Sequence, residues 1–491
     1  MNPADENKDA EIDKMIEEIN KAILKNPKTQ KETIDSIQST INQTENIGVV
    51  GRCLTDVANA SPELAEKLAK AINLKTLARK IDQTKDIRDL GWCLIEVARA
   101  SPDLAEKLIP SVARKIDQTE DIHAVGDCLN SVAKASSELA EKLAKAINLE
   151  TLAKKIDQTE NIDNVWLCLL GVADASPEIG EKLAKAINTE NLARKIDQTE
   201  DIRAVGSCLF GVARASPELA EKLIPSVARK IDQTENIEAV GECFFGLARA
   251  SSEIAEKLAK AINLETLARK IDQTEDILAV GRCLPDIAGA SRETVEELAK
   301  AINLETLTIK IDQTEDTDHV GVFLSFVAEA SPELAEKLIP SVARKIDQTE
   351  DIHAVGLCLA FVAEKITELA EKLIPSVARK IDQTEDIHAV GRCLTDVANA
   401  SPELAEKLAK AINLETLARK IDQTEDIRDL GRCLIDVAYA SPELAEKLIP
   451  SVARKIDQTE DIEAVEWYLA DVAKASPEIG EKLAKAVTRK P

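Results

Sequence analysis

Aromatic side chains are scarce in this chain: Phe, Trp and Tyr together supply 2% of its 491 residues, whereas apolar residues as a group reach 44%. A core must therefore be built from Ala, Val, Leu and Ile, which suits closely packed helices. Basic residues are outnumbered by acidic ones, 63 to 88, for a net charge of −25. Because binding to phosphates depends on clustered Lys and Arg, we expect no nucleic acid and no anionic membrane among the partners.

Long apolar runs are also missing. No stretch approaches the ~18 apolar residues of a membrane span. The chain starts with the acidic, polar segment MNPADENKDAE, which is unlike a signal peptide. We therefore expect a cytoplasmic protein.

What the chain has in abundance is internal repetition. The tetrapeptide IDQT, written INQT in its first copy, recurs at intervals of 35 or 40 residues. The copies begin at Ile41, Ile81, Ile116, Ile156, Ile196, Ile231, Ile271, Ile311, Ile346, Ile381, Ile421 and Ile456. Such periods indicate a solenoid, in which each repeat stacks on its neighbours.

The long repeat predicts three helices. The first opens with Ser61 as N-cap and Pro62 at the first helical position, and the second opens with Asn73 as N-cap. Thr84 is the expected cap of the third helix, in which apolar residues recur at helical spacing. The short repeat replaces AKAINLET with IPS, as at 109–111, and predicts that the first two helices merge into one bent helix.

The long repeat resembles an armadillo repeat, and the short one resembles its two-helix relative, the HEAT repeat. The segment GRCLTDVANASPELAEKLAKAINLETLARKIDQ (391–423) is similar to the armadillo order of third, first and second helix, and the resemblance covers roughly residues 45–485. It implies that the third helices line a concave groove that binds extended peptides. It also implies a peptide-gripping Asn on the third helix with a Trp four residues earlier, and Trp92 and Trp467 occupy that Trp position.

The position of this Asn holds other residues in every repeat. The resemblance therefore does not extend to binding of a peptide backbone by Asn. This position holds Asp56, Glu96, Ser131, Gly171, Gly211, Gly246, Asp286, Phe326, Phe361, Asp396, Asp436 and Asp471. The predicted fold is all-α: a right-handed α-solenoid superhelix of twelve armadillo-like (three-helix, 40-residue) and HEAT-like (two-helix, 35-residue) repeats. We expect an N-terminal helical cap at 1–44, repeats over 45–475, and a C-terminal capping helix and tail at 476–491.

The copies differ mainly along one stripe of the third helix. The ELAEKL segment of the first helix hardly changes, although its Glu and Lys should be exposed. Two interpretations of this variation remain open. Either the stripe is a binding surface under selection, or the differences reflect neutral drift and the history of repeat duplication. In the first repeat the stripe consists of Gly48, Val49, Arg52, Thr55, Asp56 and Asn59.

All eleven aromatic residues lie in third helices, and seven of them fall on this stripe. Exposed aromatics are costly in water unless they meet a partner. We expect an apolar centre with charged flanks, whereas Phe244 and Phe323 replace core residues and should be buried. The candidate partner-binding residues are Arg52, Asp56, Trp92, Glu96, Leu167, Leu170, Phe210, Phe245, Phe326, Leu357, Phe361, Arg392, Asp396, Arg432, Asp436, Tyr439 and Trp467.

Residues that could support chemistry occur only in repetitive positions. The ten cysteines share one position of the repeat and are expected to be small buried hydrophobes, and the four histidines are expected on a solvated helix face. Neither a catalytic motif nor a metal or cofactor site is indicated. Pro285, in the middle of a third helix, predicts a kink and a bend of the solenoid.

These observations favour a non-enzymatic scaffold that binds a protein or peptide with apolar and basic segments along the third helices. A structural protein that assembles with itself through the ends or sides of the array is the alternative. A third possibility, an enzyme or regulator that binds a small ligand in the central groove, has no residue support beyond a pocket. The oligomeric state cannot be read from the sequence.

Overall fold

The computed structural model describes residues 34, 35, 37–39, 41, 47–460 and 462–488. In this part of the chain every regular element is an α-helix, and there is no strand. The N-terminal cap expected at 1–44 lies almost entirely outside the described residues.

The third helices are uniform in length and follow the second helices after a short connection. Asp86 caps one of them, because its carboxylate accepts a hydrogen bond of 2.9 Å from the backbone N–H of Arg88. Thr84, the cap expected from the sequence, instead donates its hydroxyl to the Lys80 carbonyl oxygen at 2.8 Å and closes the preceding helix. The third helices span Ile47–Ala60, Ile87–Ala100, Ile122–Ala135, Ile162–Ala175, Ile202–Ala215, Ile237–Ala250, Ile277–Ala290, Thr317–Ala330, Ile352–Lys365, Ile387–Ala400, Ile427–Ala440 and Ile462–Ala475.

Long repeats contain separate first and second helices, as predicted. The backbone N–H of Leu64 points to the Ser61 hydroxyl, and those of Lys75 and Thr76 to the Asn73 side chain, so both expected caps form. The first helices span Pro62–Ala71, Ser137–Ala146, Pro177–Ala186, Ser252–Ala261, Arg292–Ala301, Pro402–Ala411 and Pro477–Ala486. The second helices span Leu74–Gln83, Leu149–Gln158, Thr189–Gln198, Leu264–Gln273, Leu304–Gln313 and Leu414–Gln423.

Four short repeats confirm the predicted merger of these two helices. Each is one helix with a proline inside it, spanning Pro102–Gln118, Pro217–Gln233, Pro332–Gln348 or Pro442–Gln458. The fifth is broken into Thr367–Glu371 and Ile374–Gln383. Its sequence differs from the Pro332–Gln348 helix only at its start, where Ile366 and Thr367 replace Ser and Pro. Ile366 provides no side-chain cap, so the first turns lack the support that carries the other helices past their proline.

Pro285 lies inside the helix Ile277–Ala290 without ending it. This helix has the same length as the other third helices, so the local helix survives the loss of one backbone donor. The bend of the solenoid expected at this position stays a prediction.

In four long repeats a lysine near the end of the second helix connects the repeat to the preceding one. The Lys195 ammonium donates to the carbonyl oxygens of Ile156 and Asp157 at 2.7 and 2.8 Å. These carbonyls belong to the C-terminal end of the preceding second helix, where helices lack internal donors and favour positive charge. Lys310 and Lys420 donate to Ile271 and Ile381 in the same way, at 2.7 and 2.5 Å.

The aspartate of IDQT makes a second connection, whose partner depends on the length of the following repeat. Before a short repeat the carboxylate pairs with an arginine, as in Arg114–Asp82 at 3.0 Å. Before a long repeat it accepts a hydrogen bond from the backbone N–H of the loop asparagine, as from Asn148 to Asp117 at 2.9 Å. The motif therefore repeats because Lys, Ile and Asp together form the junction between repeats.

Removal of the lysine ammonium should weaken the junction. In Lys195→Met the carbonyls of Ile156 and Asp157 lose their buried donor, and we expect a loss of about 1–3 kcal/mol in the free energy of unfolding. Amide hydrogen exchange should accelerate in Leu149–Gln158. The control Lys182→Met removes an exposed ion pair to Glu178, which is worth less than about 1 kcal/mol. Equal effects of the two substitutions would contradict this role of Lys195.

Glycines set the distance between consecutive third helices. A Cβ atom added at Gly206 would lie 2.9 Å from the Cα of Cys243, and one added at Gly91 would lie 3.1 Å from the Cα of Cys128. Any larger residue must therefore push the two helices apart. The cysteines at the contact are all buried and free, which confirms that they act as small hydrophobic residues.

Gly206→Ala and Gly246→Ala form a matched pair in neighbouring third helices. The added methyl at 206 meets Cys243, and such overpacking typically costs about 1–3 kcal/mol. At Gly246 a Cβ would meet nothing within 4 Å, so alanine should stabilise the helix by up to about 1 kcal/mol. Thermal unfolding followed by circular dichroism should show a lower midpoint for the first variant and an unchanged or higher one for the second. The reverse order would show that the glycines do not set the helix spacing.

The described chain forms two compact units. One comprises the residues up to Thr234 together with Cys243–Ile262, and the other comprises Glu235–Glu242 and the residues from Asn263 onward. Within each, a third helix packs against the third helix of the next repeat, and first and second helices pack in parallel series. This is the α-solenoid architecture expected from the sequence, with armadillo-like long repeats and HEAT-like short repeats. The number of repeats and their handedness stay predictions.

Candidate functional site

The stripe of the third helices contains exposed and half-buried positions. One stripe position directly follows the glycine at the contact between third helices, as Arg52 follows Gly51. This position is mostly exposed, because its side chain points away from the contact. The position four residues further on is mostly half-buried beside the preceding third helix. Of the candidate residues, the exposed ones are Arg52, Trp92, Phe245, Arg392, Arg432, Tyr439 and Trp467, and the half-buried ones are Asp56, Leu170, Phe210, Phe326, Leu357, Phe361, Asp396 and Asp436. Glu96 and Leu167 are buried.

Four aromatic side chains remain largely accessible. Trp92 is 58% exposed, Phe245 54%, Tyr439 62% and Trp467 68%. The Arg249 guanidinium lies over the Phe245 ring at 5.6 Å, and the Tyr439 hydroxyl donates to the Asn399 amide oxygen at 2.9 Å. These are single contacts that leave most of each ring in solvent.

Other aromatic residues are part of the packing. Phe244 and Phe323 are fully buried, which confirms their predicted place in the core. Phe210, Phe326 and Phe361 are half-buried and present only part of their rings to solvent. Of the apolar centre expected from the sequence, Phe245 is exposed, whereas Phe210, Phe326 and Phe361 are less accessible than the four rings above.

In the N-terminal unit a polar network links the helices Ile47–Ala60 and Ile87–Ala100. Glu96 accepts a hydrogen bond from the Thr55 hydroxyl and pairs with Arg99 at 3.0 Å. Its carboxylate is thus held between two partners, which explains how a charged residue of the stripe can be buried.

The C-terminal unit contains a related network on the helices Ile352–Lys365, Ile387–Ala400 and Ile427–Ala440. His353 Nδ1 lies 3.0 Å from the Asp396 carboxylate. Burial raises the pKa of Asp396, against the lowering effect of His353 and Arg392. Burial also raises the pKa of Asp436, and His388, Thr395 and Arg392 oppose it.

The histidines were not predicted as members of these networks. His353 and His388 are half-buried, and each lies beside an aspartate of the next third helix, a neighbour that the expected solvated helix face did not include. A signal was present in the sequence, since both occupy the repeat position of Gly48, the first residue of the stripe. Pairing across 40 or more residues is a tertiary contact that helical spacing does not show.

Asp286 has the most perturbed carboxylate of the stripe. Burial, with the nearby charges of Glu242 and Glu329, raises its pKa to about 6. Arg282, one turn earlier on the same helix, pairs with Glu238 on the preceding third helix at 2.9 Å.

Two observations concern the reactive side chains of the described residues. No group of three or more His, Cys, Asp or Glu among them could hold a metal ion. Burial raises the pKa of the Cys53 and Cys93 thiols to about 12, so neither forms a thiolate near neutral pH. No helix in the described ranges is long and apolar enough to cross a membrane.

The sequence matches no protein-family model and no curated protein. Among solved structures, the chain is similar to the APUM23–GGAUUUGACGG structure, at 12% identity over 98% of this chain and all of that one, with a TM-score of 0.42. It is also similar to a homology model of the AP-3 complex in an intermediate open conformation (10% identity, 92% and 86% covered, TM-score 0.41) and to SYS-1 (10%, 98% and 100%, 0.31). At these scores the likenesses add no argument about function.

The raised pKa of Asp286 should be visible in the pH dependence of thermal stability. Its carboxyl has a raised pKa of about 6 in the folded chain, against about 3.9 when unfolded, so its ionisation lowers stability as the pH rises from about 4 to 6. Asp286→Asn removes this ionisation and should raise the melting temperature at pH near 7.5 but hardly at pH near 4. An equal gain at both pH values would contradict the raised pKa.

Proposed function

We propose that the chain is a non-enzymatic scaffold that binds a protein or peptide along the stripe of its third helices. The observation that carries this proposal is the exposure of Trp92, Phe245 and Tyr439, each on the stripe and each more than half accessible. Large aromatic rings contribute most of the energy in many protein interfaces, because they bury much surface at a small cost in side-chain entropy. In this proposal these rings are the anchors for a partner's apolar residues.

The first-helix surface gives weaker support than the sequence suggested. Its repeated Glu and Lys form ion pairs within and between repeats, such as Lys257 with Glu253 and Glu221, both at 2.9 Å. These ion pairs are a structural reason why ELAEKL hardly changes, although each exposed pair contributes less than about 1 kcal/mol to stability. The contrast between constant first helices and variable third helices therefore does not by itself require a partner.

A closer comparison within the chain favours selection on the stripe. Residues 50–127 recur at 390–467 with nine differences, and six of these fall in third helices, which supply less than half of the segment. Trp92 corresponds to Arg432 and Arg99 to Tyr439, so both copies keep one aromatic and one arginine seven residues apart on the same helix. Drift alone does not favour exchanges that preserve this combination.

Charge and composition define the class of partner that we propose. The net charge of −25 favours the approach of cationic segments, and the exposed rings favour apolar ones. A protein or peptide with both kinds of residue fits better than a nucleic acid, whose phosphates the same charge repels.

Self-assembly is the second candidate, and the last third helix favours it. The helix Ile462–Ala475 exposes the apolar side chains of Trp467, Ala470 and Ala473, with the charged Glu466 and Asp471 also exposed beside them. We propose that the helix Pro477–Ala486 is the C-terminal cap, and this cap leaves Trp467 accessible.

Serine substitutions separate the two candidates. Trp92, Phe245 and Tyr439 changed together to Ser should abolish capture of partners from native lysate, as identified by mass spectrometry, with helicity unchanged because the rings are exposed. A control variant with Ser at Leu74, Leu304 and Ile309 removes accessible apolar side chains from second helices instead and should capture normally.

Light scattering of the same proteins measures self-association. If the chain assembles through its last repeat, Trp467→Ser lowers the mass in solution and leaves capture unchanged. Undiminished capture by the triple third-helix variant would overturn the proposed scaffold function.

A further inference from the structure

We infer that two copies of the chain associate through their last repeats, with the helix Ile462–Ala475 lying antiparallel to the same helix of the second copy. This contact rests on the self-assembly candidate proposed above and adds its symmetry and the residues that pair across it. The surface that suggests it is complementary to itself.

The last third helix has accessible apolar side chains that earlier third helices bury. Ala438 and Ala440 are buried in the helix Ile427–Ala440, whereas the corresponding Ala473 and Ala475 are exposed. Trp467, at 68%, is the most exposed large apolar side chain of the described residues. In the described chain no further third helix follows to cover this surface, so it is available to a second copy.

Glu466 prevents a second copy from stacking here in the way that successive repeats stack within the chain. It occupies the position of the glycine at the contact between third helices. A Cβ atom added at the corresponding Gly391 would already lie 3.0 Å from the Cα of Cys433, and a glutamate side chain needs far more room. Association at this end therefore requires another arrangement of the two helices.

Four exposed residues of the last third helix form a stripe that fits its own copy in the antiparallel arrangement. They are Glu463, Trp467, Ala470 and Lys474, and their spacing of i, i+4, i+7 and i+11 places them on one face of the helix. With two such helices antiparallel, Glu463 meets Lys474 of the second copy, and Trp467 meets its Ala470. Opposite charges thus pair at both ends of the contact, and a large ring meets a small side chain twice between them.

The charges at the two ends of this stripe are available for such pairs. Neither the Glu463 nor the Lys474 side chain forms an ion pair or a hydrogen bond with another described residue. The next lysine of the same repeat differs, because Lys482 pairs with Glu478 at 2.9 Å. A second copy therefore supplies partners that the chain itself does not.

The contact involves one helix from each chain, which is less than a permanent dimer buries. We therefore expect a reversible dimer that forms as the protein concentration rises. Glu466 and Asp471 lie on either side of the stripe and are exposed, so they remain solvated at the edges of the contact.

Charge reversal tests the antiparallel pairing in the full chain, with sedimentation equilibrium as the measurement. Glu463→Lys places lysine opposite Lys474, and Lys474→Glu places glutamate opposite Glu463. Each variant alone should dimerise about tenfold or more weakly than the unmodified chain, because like charges then face each other. An equimolar mixture of the two variants should regain the dimer, since every pair across the contact is again of opposite charge.

The matched controls are Glu443→Lys and Lys447→Glu, which reverse the same charges in an exposed ion pair of the preceding first helix. They should dimerise like the unmodified chain, both singly and mixed. Equal losses in the controls, or no recovery in the mixture of stripe variants, would overturn the antiparallel contact.

The possible failures can be distinguished. Self-association that Trp467→Ser weakens but that the mixture does not restore would leave the self-assembly candidate standing with another geometry. A chain that stays monomeric at every concentration would overturn both the contact and that candidate. The scaffold proposal is independent of these outcomes, because capture by the triple serine variant tests it with Glu463, Trp467 and Lys474 unchanged.

Discussion

Stacking in the long repeats depends on one buried interaction: a lysine ammonium placed at the carbonyl end of the preceding repeat. Lys155, Lys195, Lys310 and Lys420 are all nearly inaccessible, and burial lowers the pKa of the last three. Such a charge is tolerable in the interior only because carbonyl oxygens surround it. The next repeat must therefore dock in one position, which fixes its orientation along the array.

This junction also explains why the third helices are free to vary. The positions of successive repeats are set by Lys and the aspartate of IDQT, which lie on the second helices, and by the glycine–cysteine contact, which lies beside the half-buried positions of the stripe. A residue such as Trp92 or Arg432 can change without loss of the junction. Variation and stability are thus assigned to different surfaces of the same repeat.

Most of the fold could be predicted from the sequence, because its determinants are local. Helical spacing, Ser61 and Asn73 as caps, and the IPS deletion predict the helix order and the merged helices. The break before Ile374 was missed because it depends on the absence of one cap. The stripe could be placed on a helix face, but the burial of Glu96 and the partners of His353 and His388 could not be predicted. They depend on the neighbouring repeat, which no local pattern describes.

The aspartate of IDQT has a consequence for how such an array can grow. It pairs with an arginine when the following repeat is short and with a backbone N–H when that repeat is long, so either length fits after any copy. Recombination between two distant copies of the gene segment therefore joins compatible ends and produces a longer or shorter array with intact joints. The near-identity of 50–127 and 390–467 is the pattern that such an exchange would produce.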